Sequence, residues 1–388
     1  LCFGALARTW DSLSSPSQRL PDGMTPAGRG RCGFRSAIRE SYQQDARFWE
    51  LAGTLGFLRT NCGLMYRMIV NELGGPSALV EEEKPDLEPG PGEVCVDVKA
   101  IGCNFFDTLI TRGKYQVQPD LPFAPGAEAA GVVRSTGAGV DGVATGDRVS
   151  VLLSYGAFAS MITAPVERVF PIPESMSFED AAALGVVYQT SYLALAPRAQ
   201  IQAGETLLVH AAAGGVGLAA VQIGVALGAR VIGTAGSPDK LDLILEEGAE
   251  VAINYRDEDF VERIKDLTDG RGADVIYDPV GGDTFDRSLK CIAFNGRVLV
   301  IGFASGRIPT AKMNRVLLKN ISLVGVHWGL YFDRDPEVLQ EAHRALAALH
   351  ADGKIRPLIS ATYPLREAAV ALDALGARKT TGKVVLMP

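Results

Sequence analysis

The sequence predicts an α/β chain in which a β-rich domain precedes a doubly wound parallel sheet. Three observations carry that prediction. Val94, Val96 and Val98 alternate with other residues after the turn-forming Pro89-Gly90-Pro91-Gly92, the pattern of a half-buried strand. After about Ala181 the rhythm changes to strand and helix in turn. Between the first of those strands and its helix lies a glycine-rich turn, Ala212-Ala213-Gly214-Gly215-Val216-Gly217.

Residues 1–64 stand apart from all that follows. They hold eight Arg and no Lys, with clusters of Ser, Gly and Pro and no sustained apolar period. That composition fits a mitochondrial transit peptide, and Asp11, Asp22, Glu40, Asp45 and Glu50 fit a spurious or disordered leader as well. The β-rich domain is expected over 65–188, with further short apolar runs at 131–134 and 148–153. Over 189–328 the strand candidates are 206–209, 230–234, 251–254, 274–278, 297–302 and 321–326. Helical patterns separate most of them, among them 216–227, 238–247 and 258–267. Beyond Gly329 a helix at 336–350 precedes a last strand at 383–386. That piece does not extend the alternation, so 329–388 is assigned back to the first domain.

Composition narrows the function. A charge of −7, from 38 basic and 45 acidic residues, argues against a chain built to hold nucleic acid. Apolar residues make up 47%, enough for a sizeable core in 388 residues. The six cysteines include no C-x-x-C pair, which offers neither a disulfide framework nor a zinc knuckle. Residues 206–229 carry no formal charge and are long enough to span a bilayer, but glycines at 214, 215, 217, 224 and 228 interrupt them. A buried strand followed by a buried helix is the better reading, and no membrane span is expected.

The turn at 212–217 is the G-x-G-x-x-G pattern with Ala at its first glycine, and its place between strand and helix marks a dinucleotide site. Gly214 lets the backbone approach a pyrophosphate, which the helix N-terminus favours; Gly217 lets helix and strand pack closely. At the end of the second strand an NAD site usually carries a carboxylate for the ribose 2′-hydroxyl. Here Ala235 stands there, followed by Ser237, a donor, and Lys240, a positive charge. That combination favours NADPH. The alternative for Lys240 is a solvated surface lysine.

Several motifs together resemble the medium-chain dehydrogenase/reductase superfamily, in its zinc-independent quinone oxidoreductase type. They are Asn104-Phe-Phe-Asp107, Pro125-Gly126-Ala127-Glu128-Ala129-Ala130-Gly131, Gly146-Asp147-Arg148-Val149, the turn from Ala211 to Gly217, Asn254-Tyr255, Asp278-Pro279-Val280-Gly281 and Gly302-Phe303. The resemblance implies a GroES-like catalytic domain split around a Rossmann domain. It implies cofactor contacts from Ala213, Gly214, Gly215, Val216 and Gly217. Lys240, Tyr255 and Arg378 would surround the 2′-phosphate, alongside the Ala235 and Ser237 read above. Thr190 would line the cofactor cleft, Phe303 would lie beside the nicotinamide, and Asn104 would face it.

In the zinc-dependent members, ligands stand where this chain has Asn104, Ala127 and Val186. Glu128 remains, but one carboxylate cannot hold a catalytic zinc ion that needs three protein ligands. Cys103 is one residue out of register, and no metal site is expected. Without a Lewis acid, quinones and conjugated enones are the easier hydride acceptors, since charge spreads onto an oxygen that modest donors can steady. Asn104 and Tyr115 are the candidate donors. Their structural alternatives are an Asx turn for Asn104 and a packed ring for Tyr115. Asp107 is expected to organise the loop rather than move a proton, and the four His residues to be dispensable, with His210 inside the first Rossmann strand.

The leading function is therefore NADPH-dependent reduction of quinones or other activated alkenes without zinc. An enoyl-thioester reductase is an alternative, as is an NADPH-binding structural or sensor protein with little turnover. The expected partners are a small quinone or enone and, by the resemblance, a second copy of the chain in a homodimer. The expected address is mitochondrial, with the cytoplasm as the alternative.

Overall fold

The computed structural model describes residues 63–388. The transit-peptide expectation therefore lies outside the described residues, apart from the last two positions assigned to the leader. Leu64 already belongs to a strand. That first strand, β1 (Leu64–Val70), pairs antiparallel with β2 (Leu79–Pro85).

The catalytic sheet is built from β3 (Glu93–Cys103), β4 (Glu128–Thr136), β5 (Arg148–Leu152), β6 (Met161–Pro165) and β7 (Val169–Pro171). Helix α1 (Phe105–Ile110) follows β3 directly. Strand β3 was expected to be half-buried. Instead Val94, Cys95, Val96, Ala100 and Ile101 are all fully buried. Strand β3 lies between β4 on one edge and β6 and the C-terminal strand on the other, and its side chains on both faces belong to the hydrophobic cores. Both faces are covered, and the polar alternation survives only at Asp97 and Lys99.

Two consecutive helices, α2 (Phe178–Leu184) and α3 (Val186–Leu193), lead out of this sheet. The expected boundary at 188/189 falls inside α3. The second sheet holds β8 (Thr206–Val209), β9 (Arg230–Ala235), β10 (Val251–Asn254), β11 (Ala273–Asp278), β12 (Ile292–Val300) and β13 (Ser322–Gly325). Their order is β10-β9-β8-β11-β12-β13, every pair parallel. Read along the chain this is 3-2-1-4-5-6, the doubly wound order, with its switch point between β8 and β11. The crossovers are α4 (Gly215–Ala226), α5 (Pro238–Glu246), α6 (Phe260–Leu267), α7 (Gly282–Cys291) and α8 (Met313–Lys319). The uncharged run at 206–229 is β8 plus α4, and among the described residues no helix is long and apolar enough to cross a membrane. Strand β12 starts five residues earlier than expected and turns at Asn295, which has φ 61°.

After α9 (Pro336–Ala351) the chain returns. Strand β14 (Ile359–Pro364), helix α10 (Ala368–Gly376) and strand β15 (Lys383–Met387) complete it. Strand β15 lies antiparallel to β3, with Val384 opposite Cys103. The last strand thus joins the first sheet, beside the residues that begin the catalytic loop.

Candidate active site

The dinucleotide turn begins where β8 ends. His210 stands one residue past the strand rather than inside it, 2% exposed, with its ring nitrogens on the hydroxyls of Thr234 (3.2 Å) and Ser288 (2.8 Å). Burial, reinforced by Arg287, pushes its pKa down to about 3, so the ring is neutral. The chain then turns through Ala211 at φ 49°. A Cβ on Gly217 would overlap the Ala211 carbonyl oxygen and lie 2.8 Å from the Ala212 Cα, so only glycine fits where α4 meets the turn. A Cβ on Gly214 would meet just one atom within 4 Å, the Ala211 oxygen at 3.3 Å. Gly214 therefore faces open space at the N-terminus of α4, which no side chain caps. That is the cradle an anionic group needs. Gly215 has a different duty, since its Cβ would press on the Gly382 oxygen and Val187, both at 3.3 Å. Ala213 is 3% exposed, and its carbonyl accepts the Gly382 N–H. The Val216 carbonyl accepts the Ser191 hydroxyl.

At the end of β9, Ala235 is 4% exposed and no carboxylate stands there. A Cβ on the next residue, Gly236, would lie 2.6 Å from the Tyr255 hydroxyl and 3.1 Å from Arg256 Nε. Ser237 is the N-cap of α5, and its side chain accepts no bond from the helix. Lys240 Nζ donates to the Arg378 carbonyl at 3.0 Å, and Arg378 Nη2 donates to the Ala304 carbonyl at 3.0 Å. Ser237, Lys240 and Tyr255 thus gather at one corner with Arg378, which lies more than a hundred residues further along the chain. Arg256 joins them and was missed from sequence; its guanidinium has no hydrogen-bond or ion-pair partner among the described residues. The signal was its place beside Tyr255. Phe303 packs on the Gly281 turn, where a Cβ would lie 2.9 Å from its ring. Thr190 is 8% exposed on α3, and its neighbour Gln189 accepts the Trp328 indole N–H at 3.0 Å.

The catalytic loop differs from expectation at Asn104. Its Nδ2 donates to Glu128 Oε1 (2.7 Å) and toward the Gly102 carbonyl (3.4 Å), and its Oδ1 accepts from Lys383 Nζ (2.9 Å). At 4% exposure, the amide is spent inside the protein rather than displayed as a donor. Asp107 does organise the loop, as expected: its carboxylate accepts the N–H groups of Asn104 (2.8 Å) and Gly126 (3.2 Å). Burial raises its pKa to about 7, against those two bonds. Tyr115 stacks on Phe106 with ring centroids 5.1 Å apart. It is half-buried, and its hydroxyl has no protein partner among the described residues. Burial, with the nearby Asp107, raises its pKa and keeps the phenol protonated.

Glu128 and Lys383 form the centre of this network and were not foreseen as partners. The Lys383 ammonium donates to Glu128 Oε1 (2.6 Å), to the Cys103 carbonyl (2.7 Å) and to Asn104 Oδ1. Glu128 Oε2 accepts the Val186 N–H at 2.6 Å. A Cβ on Gly102 would overlap Glu128, and one on Gly185 would press on it, so two glycines make room for the carboxylate. The Ala127 side chain and the Val186 side chain offer no metal ligand, and Cys103 is buried with its thiol pushed well up by burial. A sequence signal for Lys383 did exist: a lysine opening a strand of Val, Val and Leu, opposite a lone buried glutamate.

Comparison with known proteins agrees with this geometry. The model of the alcohol dehydrogenase GroES-like domain matches residues 90–174, and that of the zinc-binding dehydrogenase family matches 215–348. The chain is 43% identical over 326 residues to a quinone oxidoreductase-like protein 2 homolog of Nematostella vectensis, covering 83% of this chain and 88% of that one. The mouse quinone oxidoreductase-like protein 2 is 41% identical over 326 residues, covering 84% and 93%. The structure of Escherichia coli quinone oxidoreductase complexed with NADPH superposes with a TM-score of 0.79 at 38% identity, covering 83% and 100%. The sheet order, the uncapped helix at Gly214 and these relatives lead to one conclusion: the chain belongs to the quinone oxidoreductase type of the medium-chain dehydrogenase/reductase superfamily.

Proposed function

We propose that the protein is an NADPH-dependent reductase of quinones or other activated alkenes that works without zinc. The observation that carries this is the corner at Gly236. The second Rossmann strand ends without a carboxylate, and Lys240, Tyr255, Arg256 and Arg378 converge beside it. Two negative charges on a 2′-phosphate are matched there, whereas a ribose hydroxyl finds no carboxylate acceptor. Gly214 and the N-terminus of α4 would hold the pyrophosphate. When bound, the dihydronicotinamide supplies the hydride. The chain's part is to orient acceptor and cofactor, exclude water and steady the acceptor oxygen. The Tyr115 hydroxyl, protonated and without a partner, is the donor for that oxygen. Asn104, held by Glu128 and Lys383, fixes the loop that carries Tyr115.

Support for zinc independence is that Glu128, the carboxylate next to Ala127, has both oxygens engaged by Lys383, Asn104 and Val186. Support for a homodimer is the open edge β13 beside α8, where Met313, Leu317 and Leu318 are 62%, 79% and 78% exposed. Light scattering on the purified protein checks the mass in solution. The Arg-rich residues 1–64 support a mitochondrial address, which a fluorescent fusion of that segment tests. The function itself is tested by NADPH oxidation over a panel of quinones, enones and enoyl-CoA thioesters, with metal analysis of the same sample. Turnover of enoyl-CoA alone would replace the quinone reading with enoyl-thioester reduction. Binding of NADPH with no turnover of any acceptor would leave a cofactor-binding protein.

A further inference from the structure

The Lys383 ammonium sits in a cage of three oxygens: the Cys103 carbonyl at 2.7 Å, Asn104 Oδ1 at 2.9 Å and Glu128 Oε1 at 2.6 Å. Its side chain is 3% exposed and that of Glu128 is fully buried. Three ammonium hydrogens meet three acceptors, so the cation is fully satisfied. The cage also decides how Asn104 is held. An amide flip would turn its NH2 toward the ammonium and its oxygen toward the Glu128 carboxylate, two like-sign contacts in a dry site. The residue before Lys383 is anchored at the glycine-rich turn, because Gly382 donates to the Ala213 carbonyl and lies beside Gly214 in a parallel bridge. Two adjacent residues, Gly382 and Lys383, therefore link the glycine-rich turn to the loop after β3.

We propose that Lys383 is a positioning residue whose ammonium serves as a resident cation of the catalytic domain, locking the Asn104 amide and the loop leading to Tyr115 in one arrangement relative to the dinucleotide turn. This deepens the reductase reading and rests on it for the effect on turnover. The cage itself stands on geometry alone. A buried ion pair is a weak source of net stability, since desolvation offsets much of the attraction, so a role in arrangement is the better account of its presence.

Replacing Lys383 by Ala removes three carbons and the ammonium, a space shaped for n-propylammonium. The experiment measures thermal unfolding, NADPH affinity and turnover of Lys383→Ala with and without n-propylammonium chloride, against sodium chloride at equal ionic strength. The expected result is that n-propylammonium raises the melting temperature of Lys383→Ala but not of the wild type, and that Glu128→Gln in the same chain abolishes the gain. Folding of the variant only in its presence counts as the same result. Turnover should fall roughly ten- to a hundredfold in Lys383→Ala, with NADPH affinity changed much less, and recover in part with the amine. The pair Lys383→Met with Glu128→Gln removes both charges at near-constant shape and should fold yet remain slow. No selective stabilisation by n-propylammonium, or wild-type turnover in the doubly neutral chain, overturns the proposal. A wild-type protein that turned over no acceptor would instead sink the reductase reading, while the stabilisation by n-propylammonium would still decide the cage.

Discussion

Gly382 donates its N–H to the carbonyl of Ala213 at 2.9 Å, joining the last strand of the chain to the dinucleotide turn. The C-terminal return thus borders the glycine-rich turn as well as supplying a strand to the sheet that holds β3. Gly382 has φ 52°, and a Cβ there would overlap the Leu358 carbonyl, so the contact requires glycine.

Two glycines of the turn should respond differently to substitution. Gly217→Ala forces a methyl into the Ala211 carbonyl and should cost about 1–3 kcal/mol of stability, the scale of overpacking. Gly214→Val places its side chain in the open cradle and should fold normally while losing cofactor affinity. Denaturant unfolding and NADPH titration on both variants separate the two effects; equal loss of stability would show that Gly214 is structural too.

Breaking the Lys383–Glu128 pair from one side should be costly. Lys383→Met leaves a buried, uncompensated carboxylate and should destabilise by about 3–5 kcal/mol, whereas Lys383→Met with Glu128→Gln should recover most of that loss. A double-mutant cycle by urea unfolding gives the coupling directly. Additive losses would mean that the two charges do not depend on each other.

Tyr115→Phe should lower turnover by roughly ten- to a thousandfold, the range for losing one donor to a developing oxyanion, and leave NADPH affinity nearly unchanged. An enone, which builds more charge on oxygen, should suffer more than a strongly electrophilic quinone. Steady-state kinetics with both acceptors check this. Wild-type rates with both would return Tyr115 to a packing role against Phe106.

His210 should make the protein acid-sensitive. Its folded pKa, about 3, lies below the unfolded value near 6.5, so the native state binds fewer protons and its contribution is present above pH 6.5. As pH falls from about 6.5 toward 3, that contribution is lost at up to about 1.4 kcal/mol per pH unit. His210→Gln should be less stable at pH 7, having lost bonds to Thr234 or Ser288, but should show a shallower slope in this window. Stability curves measured from pH 7 to pH 4 make the comparison.

How legible this protein was depends on whether local pattern or long-range pairing decides each element. The parallel strands β8 to β11 were legible because each is a short apolar run followed by a helix, whereas the first part of β12, ahead of the turn at Asn295, was missed. Ala235 and Lys240 were legible because their distance from the glycine turn is fixed by one crossover. Strand β3 was misjudged because the packing on its faces is tertiary: its valines and Cys95 enter a core with Phe158, Met161 and Leu372, far along the chain. Asn104 was misassigned for the same reason: its partners, Glu128 and Lys383, lie 24 and 279 residues along the chain. Arg256 needed the absence of a side chain at Gly236 to be seen as part of the corner.

The central claim is selection of NADPH through the corner at Gly236, and the direct measurement is the dissociation constant of NADPH and of NADH for the wild type, Lys240→Ala and Arg256→Ala. The wild type should bind NADPH more tightly, each substitution should weaken NADPH by about 1–3 kcal/mol, the scale of a charge-assisted hydrogen bond, and NADH should change little. Equal affinity of the wild type for the two nucleotides, or equal losses for both in the variants, would contradict it.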